Sequence, residues 1–182
     1  MNSHTHRSLE ILAVIGLAVG AVFGLAGTLI SQESVRQLFW AIDGVALVVA
    51  AALLTVRFLR LGNDLVAAGF LIFTIGESLL VSGIAAGLTR SVPSFGGGLA
   101  LWAAALMLIS IPRFFATWIR IVGVLSAILF GVVATRIFRG EEVLPISTPL
   151  PFFAYPFLVL TFIGWIWTLV KGLGSSTPSR AN

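Results

Sequence analysis

Two acidic residues, Asp43 and Glu77, stand well inside long apolar runs of this chain. Such a position costs about 3 kcal/mol for a charged side chain at the centre of a lipid-embedded helix, so the group normally faces a bundle interior or water. A carboxyl group placed there can hold a proton, pair with a cation or hydrogen-bond a polar solute. Several polar side chains in register make a route between helices. At about 100° per residue, Thr74, Ser78, Ser82 and Ala85 fall within an arc of about 140° beginning at Glu77, while Asp43 shares its face with Ala46 and Ala50. With consecutive helices over 38–56 and 65–88, Asp43 lies about 8 Å from the start of the first and Glu77 about 16 Å from the end of the second. The two helices run antiparallel, so both depths are measured from one side and the carboxyl groups can meet. Arg36, two helical turns before Asp43, stands at the mouth of this candidate polar route and can pair with it. The alternative is structural: carboxyl groups bonded to hydroxyls or backbone of neighbouring helices, acting as packing glue.

Other chemistries find too few residues. With no cysteine in the chain, disulfides, thiolate catalysis and thiolate metal sites are excluded. Both histidines, His4 and His6, lie in the N-terminal tail, which leaves no intramembrane axial ligand for a haem and no clustered set for a catalytic metal. A serine nucleophile would need a base, and no His or Lys falls at membrane depth. The expectation is therefore a protein that is not an enzyme and needs no cofactor or metal.

The elements that must position Asp43 and Glu77 follow from composition. The chain of 182 residues is 58% hydrophobic and 10% charged with a mean hydropathy of +1.08, against about 45–50% apolar and about 25% charged for a soluble domain. Its apolar residues gather into about six runs, each near the roughly 20 residues that cross a bilayer. The fold class expected is all-α: a polytopic membrane helix bundle of about six transmembrane helices with short loops. A tail over 1–8 precedes a single transmembrane domain over 9–170, with helices over 9–30, 38–56, 65–88, 95–111, 114–135 and 151–170. A disordered tail over 171–182, rich in Gly, Ser and Pro, follows. The first run is longer than the 7–15 residues or so of a cleavable signal core, so it reads as a retained helix.

Small residues mark how these helices approach. Gly16, Gly20 and Gly24 recur every four residues with Thr28 next in line, and Gly123, Ala127 and Gly131 repeat the spacing in the fifth run. A face without side chains lets a second helix come to backbone contact. That helix belongs to the same chain, to a second copy or to a membrane partner protein.

Several connectors carry their own signals. Pro93 and the glycines Gly96, Gly97 and Gly98 read as a turn and flexible lead-in to the fourth helix. In residues 112–120 aromatics alternate with Arg113 and Arg120, as in a segment lying at the headgroups, with the fifth helix then starting near Ile119. On the other reading the segment forms the first turns of that helix and Arg120 snorkels. Phe152, Phe153, Tyr155 and Phe157 read as an aromatic belt, as do Trp165 and Trp167, and Pro156 as a kink. Segments 55–62 and 135–140 resemble each other around paired arginines, as an inverted repeat of three plus three helices would require.

The net charge of +4 comes from eleven basic residues spread along the ends of the runs, which fits membrane orientation and excludes a nucleic-acid face. An inside N-terminus places seven of them in the cytoplasm, Arg7, Arg57, Arg60, Arg113, Arg120, Lys171 and Arg180, against Arg36, Arg90, Arg136 and Arg139 outside. Both termini are thus expected in the cytoplasm, in a bacterial inner membrane given the brevity, short loops and lack of glycosylation acceptors. The first functional expectation is a non-catalytic membrane subunit or scaffold that packs through small-residue faces. The alternative is a small transporter or channel-like protein with a polar route lined by Asp43 and Glu77. Partners expected are the lipid bilayer and a second copy or membrane protein.

Overall fold

A computed structural model describes residues 3–84, 87 and 90–175. Among these the chain forms six long helices and no strand: α1 (Ser3–Leu29), α2 (Glu33–Arg60), α3 (Asp64–Ile84), α4 (Val92–Ser110), α5 (Thr117–Phe138) and α6 (Tyr155–Ser175), the last led in by a single 3-10 turn at Phe152–Ala154. Each of the six is long and apolar enough to cross a membrane, and the shortest, α4 with 19 residues, spans close to the roughly 30 Å of a hydrocarbon core. The protein is a polytopic membrane helix bundle.

Side-chain sorting follows from that solvent. The outward faces carry Ile15, Val22, Val45, Ile75, Ile128 and Ile163, each at least half exposed, as suits helices surrounded by acyl chains. Lipid gives apolar side chains no reason to leave it, so the interior is selected by packing: glycines and alanines where backbones touch, aromatics where space remains. Each helix packs on the next in chain order, and α6 returns to α1, which closes a ring. Large rings fill part of its centre. Trp165 meets Phe70 at 4.9 Å and Phe162 at 5.4 Å, and Phe58 stacks on Phe70 at 5.4 Å.

The glycine stripe of α1 is spent on this ring. A Cβ on Gly16 would stand 2.8 Å from the Ala46 carbonyl oxygen and 2.9 Å from Ala50 Cβ, so α1 and α2 touch at their backbones. On α3 and α4, Gly76 and Gly98 face one another's carbonyls in the same way, with built Cβ positions at 3.1 and 3.0 Å. Gly123 meets the Ser110 hydroxyl, whereas a Cβ on Gly131 would find ordinary contact with Ala103 at 3.7 Å. Gly16→Ala is therefore expected to destabilise the bundle by about 1–3 kcal/mol, and Gly131→Ala to leave it unchanged. Detergent-induced unfolding midpoints of the two variants compare them directly.

Helix ends depart from the sequence expectation in several places. The N-terminal tail is helical from Ser3; His4 and His6 fall on that first stretch, and their side chains lie outside the described residues. α2 begins at Glu33 and ends at Arg60, longer than 38–56. α4 begins at Val92 with Pro93 inside its first turn, where the missing N–H of proline is unneeded. Gly96 and Gly98 are contact surfaces within α4, against Ile137 and Leu80, not a flexible lead-in. α5 starts at Thr117, between the two readings of that segment. α6 extends to Ser175, and residues 176–182 of the tail lie outside the described ones, as does Ala85.

Two arginines, Arg120 and Arg57, end or brace helices. Arg120 turns back to the preceding helix: its Nε donates to the Ser110 carbonyl at 2.8 Å and its Nη2 to the Ile111 carbonyl at 2.9 Å, satisfying the end of α4. At the end of α2, Gly62 adopts φ +67° while the Asn63 N–H donates to the Phe58 carbonyl. Gly140 repeats this after α5 at φ +90° with Glu141 donating to Arg136. The likeness of the two arginine segments thus has a local cause, a shared glycine helix stop. Arg57 pairs with Glu10 at 2.6 Å, and a Cβ on Gly172 would lie 4.0 Å from its Nη2. The start of α1, the end of α2 and the end of α6 therefore share one side of the ring, here the terminal end; the opposite side is the distal end.

A carboxylate-floored cavity in the helix ring

Asp43 lies ten residues into α2 and Glu77 seven residues before the end of α3, about 15 Å and about 10 Å from the distal end. The helix bounds differ from expectation, yet both side chains line one cavity. Glu77 reaches across to α2, so that a Cβ on Gly44, next to Asp43, would stand 3.1 Å from its Oε1 and would collide with Val81. The Asp43 carboxylate in turn sits in a recess of α1. A Cβ on Gly24 would lie 2.8 Å from Oδ2, and one on Gly20 would lie 3.2 Å from Oδ1. The glycine stripe thus has two uses, close backbone packing at Gly16 and a cradle for a carboxylate at Gly20 and Gly24.

These groups border a cavity of about 90 Å³ in the distal half of the ring, several times the roughly 10–15 Å³ that one water needs. Every helix except α5 contributes to its wall. Trp40, Trp102, Tyr155, Phe95 and Phe162 are the aromatic residues of its wall, and Thr28, Gln37, Ser91 and Pro145 line it toward the distal end. Toward the terminal end the ring is plugged. Phe58, Phe70 and Trp165 fill the centre, Phe73 stacks on Trp102 at 5.3 Å, and above them Arg57 lies over Phe58 at 5.1 Å while paired with Glu10.

Among the described residues, three buried polar atoms on the cavity wall have no hydrogen-bond partner: Asp43 Oδ1, Glu77 Oε2 and Trp102 Nε1. Glu77 is only 3% exposed. The Trp102 indole is turned to the Glu77 carboxyl without completing a hydrogen bond to it. Tyr155, the one tyrosine of the chain, stands at the first turn of α6 within the electrostatic reach of both carboxylates. Natural interiors satisfy the great majority of buried polar atoms, and orphaned ones cluster where a protein does something. Among the described residues no three His, Asp or Glu converge as a metal site.

The remaining residues of the expected route lie elsewhere. Thr74, Ser78 and Ser82 donate to carbonyls of their own helix, at Phe70, Thr74 and Leu79, and none lines the cavity; Ser78 and Ser82 face outward. Arg36 is buried but does not pair with Asp43. Its Nη1 donates to the Ile30 carbonyl at 3.2 Å, bracing the chain where α1 ends, and its guanidinium lies 5.6 Å from the Trp40 ring centre. Trp165 belongs to the central plug, 1% exposed, and only Trp167 fits a belt, 57% exposed with Lys171 Nζ 4.5 Å from its ring. Phe153 and Phe157 face outward as a belt requires, but Tyr155 turns inward.

Comparison with protein-family models, with curated proteins and with solved structures finds no match. Fold and site by themselves define a class: a six-helix membrane ring, plugged at the terminal end and hollow at the distal end, with two carboxylates at the floor of the hollow.

Proposed function

We propose that the protein is a carrier that moves a small cation across the membrane in exchange for protons, with Asp43 and Glu77 as the shared site. The observation that carries this reading is the pair of buried, unpartnered carboxylate oxygens facing one cavity at mid-depth. An isolated charge in a low-dielectric interior costs several kcal/mol unless a counter-charge accompanies it. The site therefore favours two states, one holding a proton and one holding a cation, and each ligand displaces the other. The chemistry is non-covalent, so the reading involves neither enzyme activity nor a cofactor. With both termini in the cytoplasm of a bacterial inner membrane, as the balance of basic residues favours, the cavity faces outward and the aromatic plug with the Glu10–Arg57 pair separates it from the cytoplasm.

A scaffold that binds partners through its glycine face fits less well, because Gly16, Gly20 and Gly24 are covered by Ala46, Ala50, Leu47 and Asp43 of the same chain. In vesicles loaded with a pH-sensitive dye and carrying the purified protein, an inward gradient of Na⁺, K⁺ or a quaternary ammonium ion is expected to alkalinise the lumen. Glu77→Gln should abolish the signal. Equal rates for wild type and Glu77→Gln would remove the carboxylate from the mechanism.

A further inference from the structure

Resting on the carrier reading, we infer that the cation is organic, a compact quaternary or protonated amine with an aromatic or branched alkyl body. The cavity wall decides between organic and inorganic ions. A bare metal cation exchanges its hydration shell for a set of oxygens, six to eight or so for the larger ions. Here Asp43, Glu77 and the Tyr155 phenol are the oxygen groups around the floor, with Thr28, Gln37 and Ser91 farther toward the distal end, while Phe95, Trp102, Leu158 and Phe162 close the sides. That wall strips water from an ion without replacing it. A quaternary ammonium ion is weakly hydrated, and aromatic rings attract such a cation through their quadrupoles, so the same wall suits it. Its charge needs one countercharge at close range, which the carboxylates supply; its body needs apolar contact, which the rings supply.

Two details agree with this assignment. Trp102 Nε1 is a buried donor without a partner, turned to Glu77; it is placed to stabilise the carboxylate once the proton has left and the cation has arrived. Gly20 and Gly24 on α1, which adjoins Tyr155's helix in the ring, make room for the Asp43 carboxylate and so hold it on the wall of the cavity of about 90 Å³.

Equilibrium binding of radiolabelled phenyltrimethylammonium to the purified protein in detergent tests the inference, with tert-butylbenzene, its neutral isostere, and NaCl as competitors. Saturable binding that weakens as pH falls, resists both competitors at equal concentration and drops by about thirtyfold or more in Asp43→Asn and Glu77→Gln is the expected result. Competition is read in the wild-type protein, so a variant that fails to fold does not spoil the test. Displacement by tert-butylbenzene as effective as by unlabelled phenyltrimethylammonium would show an apolar pocket and overturn the assignment. Absence of phenyltrimethylammonium binding alongside Glu77-dependent exchange of Na⁺ or K⁺ would overturn the organic class and leave the carrier standing. Absence of binding by any of these cations, together with no Glu77-dependent exchange, would overturn both.

Discussion

Glu77→Met is expected to make the bundle more stable, by about 1–4 kcal/mol, while ending cation and proton movement altogether. Methionine is close to glutamate in length and flexibility, so it can fill the same space beside Gly44 without a cavity. It removes a buried carboxyl oxygen that has no hydrogen-bond partner. A group retained for packing makes bonds whose loss costs stability; a group retained for a ligand leaves the empty protein better off without it. Helical circular dichroism followed through thermal unfolding, beside the vesicle dye assay on the same preparation, separates the cases. A fall in melting temperature for Glu77→Met would return the carboxyl to the role of interhelical glue.

Trp165→Ala should have the opposite character, with a loss of about 3–5 kcal/mol. Trp165 is 1% exposed and meets Phe70, Phe73, Phe115 and Phe162. It joins α6 to α3 across the middle of the ring through its contacts with Phe70 and Phe73. Truncation opens a void among large rings that cannot collapse, since α1 and α5 hold α6 on either side. Trp165→Phe, which keeps an aromatic body, is expected to recover most of the loss. Detergent-induced unfolding of the two variants measures the difference.

Much of this was legible in the order of residues. Six apolar runs of spanning length announce six helices, and two carboxylates on consecutive runs at compatible depths announce a pair. The rotation of each helix was less legible, and α3 shows why. Thr74, Ser78 and Ser82 make a polar stripe that in a soluble protein would say which face is distinctive. In lipid a hydroxyl satisfies itself on the carbonyl one turn back, at Phe70, Thr74 and Leu79, and so carries no instruction about direction. The inward face of α3 is written in Val66, Phe70, Phe73 and Gly76, which are buried, and Glu77 belongs to its edge. Tyr155 was ambiguous for a related reason. A belt and a cavity wall both favour an aromatic ring with a polar tip, and only its register with the buried Leu158, Phe162, Trp165 and Leu169 separates them. Arg36 had the right face to reach Asp43, but its guanidinium donates instead to the Ile30 carbonyl at the end of α1.

Closure of the ring by α6 has a consequence for biogenesis. Helices leave the ribosome in order, and until the sixth arrives the first five form an open arc whose concave side holds Asp43, Glu77 and Trp102. The last helix therefore completes the cavity: Tyr155, Leu158 and Phe162 join its wall only once α6 has docked between α1 and α5.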